Sequence, residues 1–255
     1  MTGATGGIGR DICIGLARAG HDLVAQFHVD VDGAKRLESD VASVGGRCTT
    51  VAADLNGADG VDIICGVVDE ELRRPRAGGL RALVNNAAKL LGPSFGKATV
   101  ADFDAYFAVN TRAAFFLAQQ LVPRMMPGSS IVNMSSASAH FSSPGDIVYA
   151  MSKAALESMT KNMAEAVADR AIRVNAVVPG FTDNGHPAFD NDEVLAYMSS
   201  FSVLGGVSQP RHIADAVLFL VSDASARTTG SILDVSGGST VGARGGRAHS
   251  VRDLL

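Results

Sequence analysis

Apolar residues recur along this chain in two rhythms. Short continuous runs at 23–27, 49–53, 80–84, 130–134, 172–178 and 232–235 have the length of strands buried on both faces. Between them apolar positions repeat every three or four residues, as in the stripe Ile8, Ile12, Leu16, which is the period of a helix with one buried face. The same rhythm predicts helices over 34–44, 61–72, 99–126, 146–168 and 212–221, with Gly45-Gly46 closing the first and Pro210 opening the last. Residues 182–202 are polar and only partly helical in pattern. Strands alternating with helices imply parallel βαβ units and an α/β, doubly wound sheet. We read one domain over 1–238 and a tail over 239–255 whose Gly242, Gly245 and Gly246 break any period.

Ligands of such sheets bind beyond the carboxyl ends of the strands. Asp54, Asn85, Ser136 and Pro179 all follow strand ends, and with the Gly-rich turn at 2–9 they fall on one edge. Glycines at 3, 7 and 9 fit a tight turn whose N–H groups approach a phosphate at a helix start. Such a turn ordinarily follows a strand, yet here only Met1 precedes it. We therefore expect the first, central strand to be missing, its neighbours to expose unpaired N–H and C=O groups, and the turn to lose its anchor. On this reading the natural chain carries further residues upstream.

Composition narrows the class. The formal charge of −4 gives no reason to expect nucleic acid or an anionic membrane as partner. No apolar run reaches the ~18 residues of a membrane span, and no secretory signal opens the chain. Cys13, Cys48 and Cys65 are scattered without a CxxC, which points to a reducing, cytoplasmic setting. The six His show no metal-ligand spacing.

The chemistry-bearing stretch is 135–153. It leaves a strand end, crosses a loop of Ser, Pro and Gly, and enters a helix carrying Tyr149 and Lys153 four residues apart on one face. A phenol titrates near pH ~10, and a neighbouring ammonium favours the phenolate. A Tyr so tuned can exchange a proton near neutrality. Ser136 arrives from the strand end within reach of the same substrate oxygen. The bland alternative is a half-buried Tyr beside a solvated Lys.

Taken together these residues resemble the short-chain dehydrogenase/reductase family in its single-domain form, from Thr2 to about Gly238. Thr2-Gly3-Ala4-Thr5-Gly6-Gly7-Ile8-Gly9 is similar to the family's TGxxxGxG, and Asn85-Asn86-Ala87-Ala88 to its NNAG with Ala88 in place of Gly. Asn110, Ser136, Tyr149 and Lys153 match the tetrad in order, Ser136 rather than Ser135 by its spacing to Tyr149. Pro179-Gly180 matches the turn beside the nicotinamide, and Gly230 with Gly237-Gly238 adds a likeness to 3-oxoacyl-carrier-protein reductases.

The resemblance implies a Rossmann-like fold and hydride transfer between a nicotinamide and a carbonyl or secondary-alcohol carbon. Tyr149 is then the proton carrier, Lys153 lowers its pKa and holds the ribose, Ser136 polarises the substrate oxygen, and Asn110 kinks its helix and binds a relay water. Gly3, Thr5, Gly7, Ile8, His28, Asp54, Leu55, Asn86, Ala87, Pro179, Gly180 and Thr182 are the implied cofactor contacts. NADP(H) is favoured over NAD(H), because Phe27 and His28 stand where an acidic residue would exclude the 2′-phosphate. Asp30 reverses that choice if the register differs. His140 and His186 are further residues near the substrate. The Phe-rich helix around Asn110 and the Tyr149 helix imply a homotetramer or dimer, and Phe189, Leu195, Tyr197, Met198 and Phe201 suggest an apolar or carrier-bound carbonyl substrate. Two other readings compete: a dinucleotide-binding protein impaired by its missing strand, and an epimerase or dehydratase of the longer family branch.

Overall fold

The computed structural model describes residues 1–75, 77–90 and 92–241. The expected tail therefore lies outside the described residues from 242 onward.

Helices and strands alternate in the order α1 (Gly7–Arg18), β1 (Leu23–Phe27), α2 (Val31–Ser43), β2 (Cys48–Ala52), α3 (Gly60–Leu72), β3 (Leu80–Asn85), α4 (Val100–Phe107), α5 (Ala113–Leu121), β4 (Met125–Met134), α6 (Ile147–Ala166), β5 (Arg173–Pro179), α7 (Asp192–Ser199), α8 (Pro210–Val221) and β6 (Ile232–Val235). Every strand pair is parallel. The strands form two sheets, β1-β2 and β3-β4-β5-β6. Against one face pack Ile12 and Leu16 of α1, Leu37 and Val41 of α2, and Ile213, Val217 and Leu220 of α8. Against the other pack Ile64 and Val68 of α3 and Leu117 and Leu121 of α5. Both faces are thus covered, which is why the inner stretches Leu83-Val84, Ile131-Val132 and Ala176-Val177-Val178 read as apolar runs without alternation.

The seam between the two sheets corrects one expectation. The turn does not lack an anchor, and its neighbours are not left bare at this level. Met1–Ala4 run between β1 and β3 and bond to both. The Met1 nitrogen donates to Val24 O at 2.8 Å. Gln26 N donates to Met1 O, Ala4 N to Gln26 O and Thr2 N to Val84 O, at 2.8, 2.9 and 3.0 Å.

The helix expected over 99–126 is four segments. A π-turn at Ala108–Arg112 separates α4 from α5, and a 3₁₀ turn at Val122–Arg124 ends the run. Pro123 cannot donate to a continuing helix, and Met125 pairs with Leu80 instead, so β4 begins five residues before the apolar run that announced it. Upstream, α2 starts at Val31 because Asp30 caps it, accepting from Gly33 N at 2.8 Å.

Candidate active site

The Gly-rich turn is fixed by side chains from both halves of the sheet. Thr2 Oγ1 accepts from the N–H groups of Asn86 and Ala87, each at 3.0 Å. Asn86 Nδ2 donates back to Thr2 O and Gly3 O at 3.2 and 2.9 Å. From the other side Gly3 N donates to Gln26 Oε1 at 2.9 Å, and Gln26 Nε2 donates to Ala53 O at 2.7 Å. The glycines are there for space. A Cβ on Gly9 would sit 2.1 Å from Gly3 O, one on Gly7 2.9 Å from Asn184 O, and Gly3 has φ +63° with Ala87 Cα 2.7 Å from its would-be Cβ. Gly6 caps α1 without a side chain, and no acidic residue lies in the first turn. The helix start, with Thr5 and Ile8 half-buried beside it, is therefore open to an anion.

One strand over, Leu55 is buried and Asp54 is exposed at the end of β2. His28 Nε2 stands 3.8 Å from Asp54 Oδ1. Asp30 is turned to its helix and lies 3.9 Å from Arg36.

The second half of the site forms where β4 meets α6. Lys153 is 2% exposed, and its Nζ donates to Met134 O at 2.7 Å. That nitrogen lies 5.8 Å from the centre of the Tyr149 ring. The Ser136 side chain lies near enough to the Tyr149 hydroxyl to act on its pKa, so the serine, the phenol and the lysine converge. Burial, however, controls the charges. It holds the Lys153 ammonium down at about 7. It also pushes the Tyr149 phenol above its ordinary value, with Ser136 pulling the other way and Asp146 and Tyr106 adding to the rise. Without a ligand, burial outweighs the expected influence of Lys153 on Tyr149, because a lysine that sheds its charge near neutrality is a weak partner for a phenolate.

Asn110 sits in the middle of the π-turn, 2% exposed. Its Oδ1 accepts from Lys89 N at 2.7 Å, while its Nδ2 donates to Lys89 O at 3.2 Å and to Ser152 Oγ at 2.9 Å. The helix deviation is as expected for a π-turn. The amide, though, ties the segment after β3 to α6 rather than facing Lys153.

Pro179 ends β5, and Gly180 passes so close to Ser236 that a Cβ would lie 2.7 Å from its carbonyl oxygen. Thr182 is buried, donates to Gly180 O at 3.1 Å and pairs with Ser208. Beyond it the Phe201 ring meets Tyr197 and Phe181 edge-on and Phe141 at a tilt, with ring centres 5.2–5.4 Å apart, joining the segment after β5 to the loop between Ser136 and Tyr149. His140 lies on that loop and His186 in the segment after Thr182, both exposed. Sequence reasoning missed Gln26, because a buried Gln inside an apolar strand gives no local sign of the turn it holds. Among the described residues no group of three His, Cys, Asp or Glu is placed to hold a metal, and no helix is long and apolar enough to cross a membrane.

A family model described as enoyl-(acyl carrier protein) reductase matches residues 3–240. The hydroxynaphthalene reductase-like protein Arp2 of Metarhizium brunneum is 32% identical over 253 residues, covering 94% of this chain and 93% of that protein. The 3-oxoacyl-[acyl-carrier-protein] reductase FabG of Thermotoga maritima is 30% identical over 240 residues, covering 93% and 95%. Among solved structures, the angucycline C-6 ketoreductase LanV with bound NADP superposes with a TM-score of 0.91 at 37% identity, covering 94% of each chain. The reductase LugOII, which catalyses keto-reduction at C1 during lugdunomycin biosynthesis, gives 0.91 at 36%, covering 94% and 96%.

The depressed Lys153 value has a stability consequence. Between pH ~7 and the unfolded value of ~10.4 the unfolded chain holds a proton that the native chain has lost. The burden of burying this group is therefore greatest below 7 and is relieved as pH rises. Thermal melts of the ligand-free protein and Lys153→Met across pH 6.5–9.5 should show the native chain gaining on the variant toward the alkaline end.

Proposed function

Since the chain belongs to the short-chain dehydrogenase/reductase family of oxidoreductases, we propose that it is an NADP(H)-dependent ketoreductase acting on an apolar, ring-bearing ketone. The observation that carries this reading is the convergence of Ser136, the Tyr149 hydroxyl and buried Lys153 on the strand edge that also carries an uncapped, Gly-lined helix start.

The residues present fit a dinucleotide. The pyrophosphate would lie at the helix start, against Gly3, Thr5, Gly7 and Ile8, where a Cβ at positions 7 or 9 would collide with backbone. Asp54 and Leu55 would take the adenine end, Asn86 and Ala87 the ribose path, and Pro179, Gly180 and Thr182 the nicotinamide end. For the 2′-phosphate, His28 is exposed at the end of β1, while the nearest carboxylate on that loop, Asp30, is held by its helix and Arg36. This favours NADP(H), as do neighbouring structures solved with NADP bound.

When bound, the cofactor supplies the hydride. The protein's part is at the oxygen. Ser136 donates a hydrogen bond to the carbonyl oxygen, and Tyr149 Oη gives it a proton as negative charge develops there. Lys153, already fixed by Met134 O, would hold the ribose hydroxyls with its remaining donors, and these hydrogen bonds favour its ammonium form. That charge would then draw the Tyr149 pKa down, so the protein is set for catalysis only when loaded. Asn110 acts by holding the segment after β3 against α6.

For the substrate, the cluster of Phe141, Phe181, Tyr197 and Phe201 supplies aromatic walls. LanV and LugOII are named as reductases of angucycline and lugdunomycin biosynthesis, which fits such walls. A 3-oxoacyl thioester is the second reading, favoured by the FabG likeness.

Outside the site, a cleft between α5 and α6 is lined by Phe107, Phe115, Phe116, Met159 and Met163, with Phe115 and Phe116 about two-fifths exposed. We place the interface of a homo-oligomer there.

NADPH oxidation should be faster with a bicyclic ketone such as 1-decalone than with acetoacetyl-N-acetylcysteamine. Tyr149→Phe should lower kcat at least about a hundredfold, the scale of general-acid catalysis, while NADPH still binds; an unimpaired Tyr149→Phe, or preference for the thioester, would overturn the corresponding half of the reading. Light scattering should give a dimer or tetramer that Phe116→Glu reduces toward monomer.

A further inference from the structure

Ser136 opens a short turn between the end of β4 and the loop that leads to α6. The turn is a single 3₁₀ segment, Ala137–Ala139, whose internal bonds are Ser138 N to Ser136 Oγ, Ala139 N to Ser136 O and His140 N to Ala137 O, at 3.2, 3.0 and 2.9 Å. Both ends of this turn are tied to one atom. On one side Ser135 Oγ donates to Glu157 Oε1. On the other, His140 Nε2 meets the same Oε1 at 2.9 Å. A carboxylate only accepts, so the His140 ring nitrogen is the donor.

Glu157 is one helical turn beyond Lys153 on α6, and its side chain is only 13% exposed. Lys153 holds Met134 O, and Ser135 N donates to Val177 O at 2.8 Å. The backbone on the strand side of Ser136 is therefore fixed twice, and on the loop side His140 is the side-chain tie to α6, with Phe141 packed against Phe201 beyond it. Charge supports the arrangement: His140 faces Glu157 from α6 and Asp234 from the end of β6.

We propose that Glu157 is the positioning residue of the site. It clamps Ser135 and His140 so that the Ser136 hydroxyl is held toward Tyr149. The His140–Glu157 contact is then a working part of the site rather than a surface ion pair. The proposal rests on the reading of Ser136 as the group that binds the substrate oxygen. On that footing, Glu157 acts on turnover through Ser136 and does not touch the cofactor.

The test is a double-mutant cycle with ketone reduction as one readout and hydrogen–deuterium exchange of the 137–140 amides as another. Glu157→Ala should lower kcat about tenfold or more, leave the NADPH Kd within twofold, and speed exchange at 137–140. Glu157→Gln keeps an acceptor in place and should restore most of the kcat. In a Ser136→Ala background, Glu157→Ala should cost nothing further. Independent, multiplicative losses would overturn the clamp while leaving the role of Ser136 standing. A fully active Ser136→Ala would instead sink the reading on which the clamp rests, and the clamp with it. Unchanged exchange at 137–140 also counts against it. Should Glu157→Ala fail to fold, His140→Ala carries the same cycle, with a several-fold loss expected.

Discussion

Everything at this site hangs on a strip of four residues lying between β1 and β3. Thr2 and Gly3 have their backbone and side-chain groups bonded to Val84, Asn86 and Ala87 on one side and to Gln26 on the other. These bonds close the gap between a two-stranded and a four-stranded sheet. They also aim the start of α1. Thr2 Oγ1 alone satisfies two inward N–H groups, and leaving a buried donor unpaired costs about 1–3 kcal/mol. The same strip therefore joins the fold and shapes the anion cradle, so stability and cofactor affinity share one set of contacts.

The other half of the site is governed by desolvation. Burying Lys153 holds its ammonium near the neutral range, and burying Tyr149 raises the phenol, so the pair without ligand stores its proton on the tyrosine. On the proposed reading, hydrogen bonds from the ribose hydroxyls of the ligand to Lys153 offset its desolvation and favour its ammonium form. Acid strength at Tyr149 is then coupled to loading. On the same reading Lys153, 2% exposed and bonded to Met134 O, gains its remaining hydrogen-bond partners from the ligand.

How much of this the sequence carried depends on where each signal sits. The strands were legible because burial on both faces leaves continuous apolar runs, and Tyr149 and Lys153 because helical spacing is local. The start of β4 was not, since Met125 is apolar in a helical pattern and only its pairing with Leu80 makes it a strand. Gln26 was invisible for the same reason: its partners, Gly3 and Ala53, are more than twenty residues away in either direction. The direction of the Tyr149 shift without a ligand was not legible, because spacing reveals a neighbouring amine but not how deeply that amine is buried. Asn110 was found by its place in a motif, but its bonds to Lys89 and Ser152 could be seen only in three dimensions.

The most direct measurement is the change in reduced-nicotinamide fluorescence on titrating NADPH into this Trp-free chain and into Thr2→Val, which keeps the side-chain shape and removes the hydroxyl. If the strip between β1 and β3 builds the cradle, the native chain saturates and Thr2→Val binds about tenfold more weakly or worse, as 1–3 kcal/mol implies. Equal binding by the two, or none by the native chain, would contradict the account.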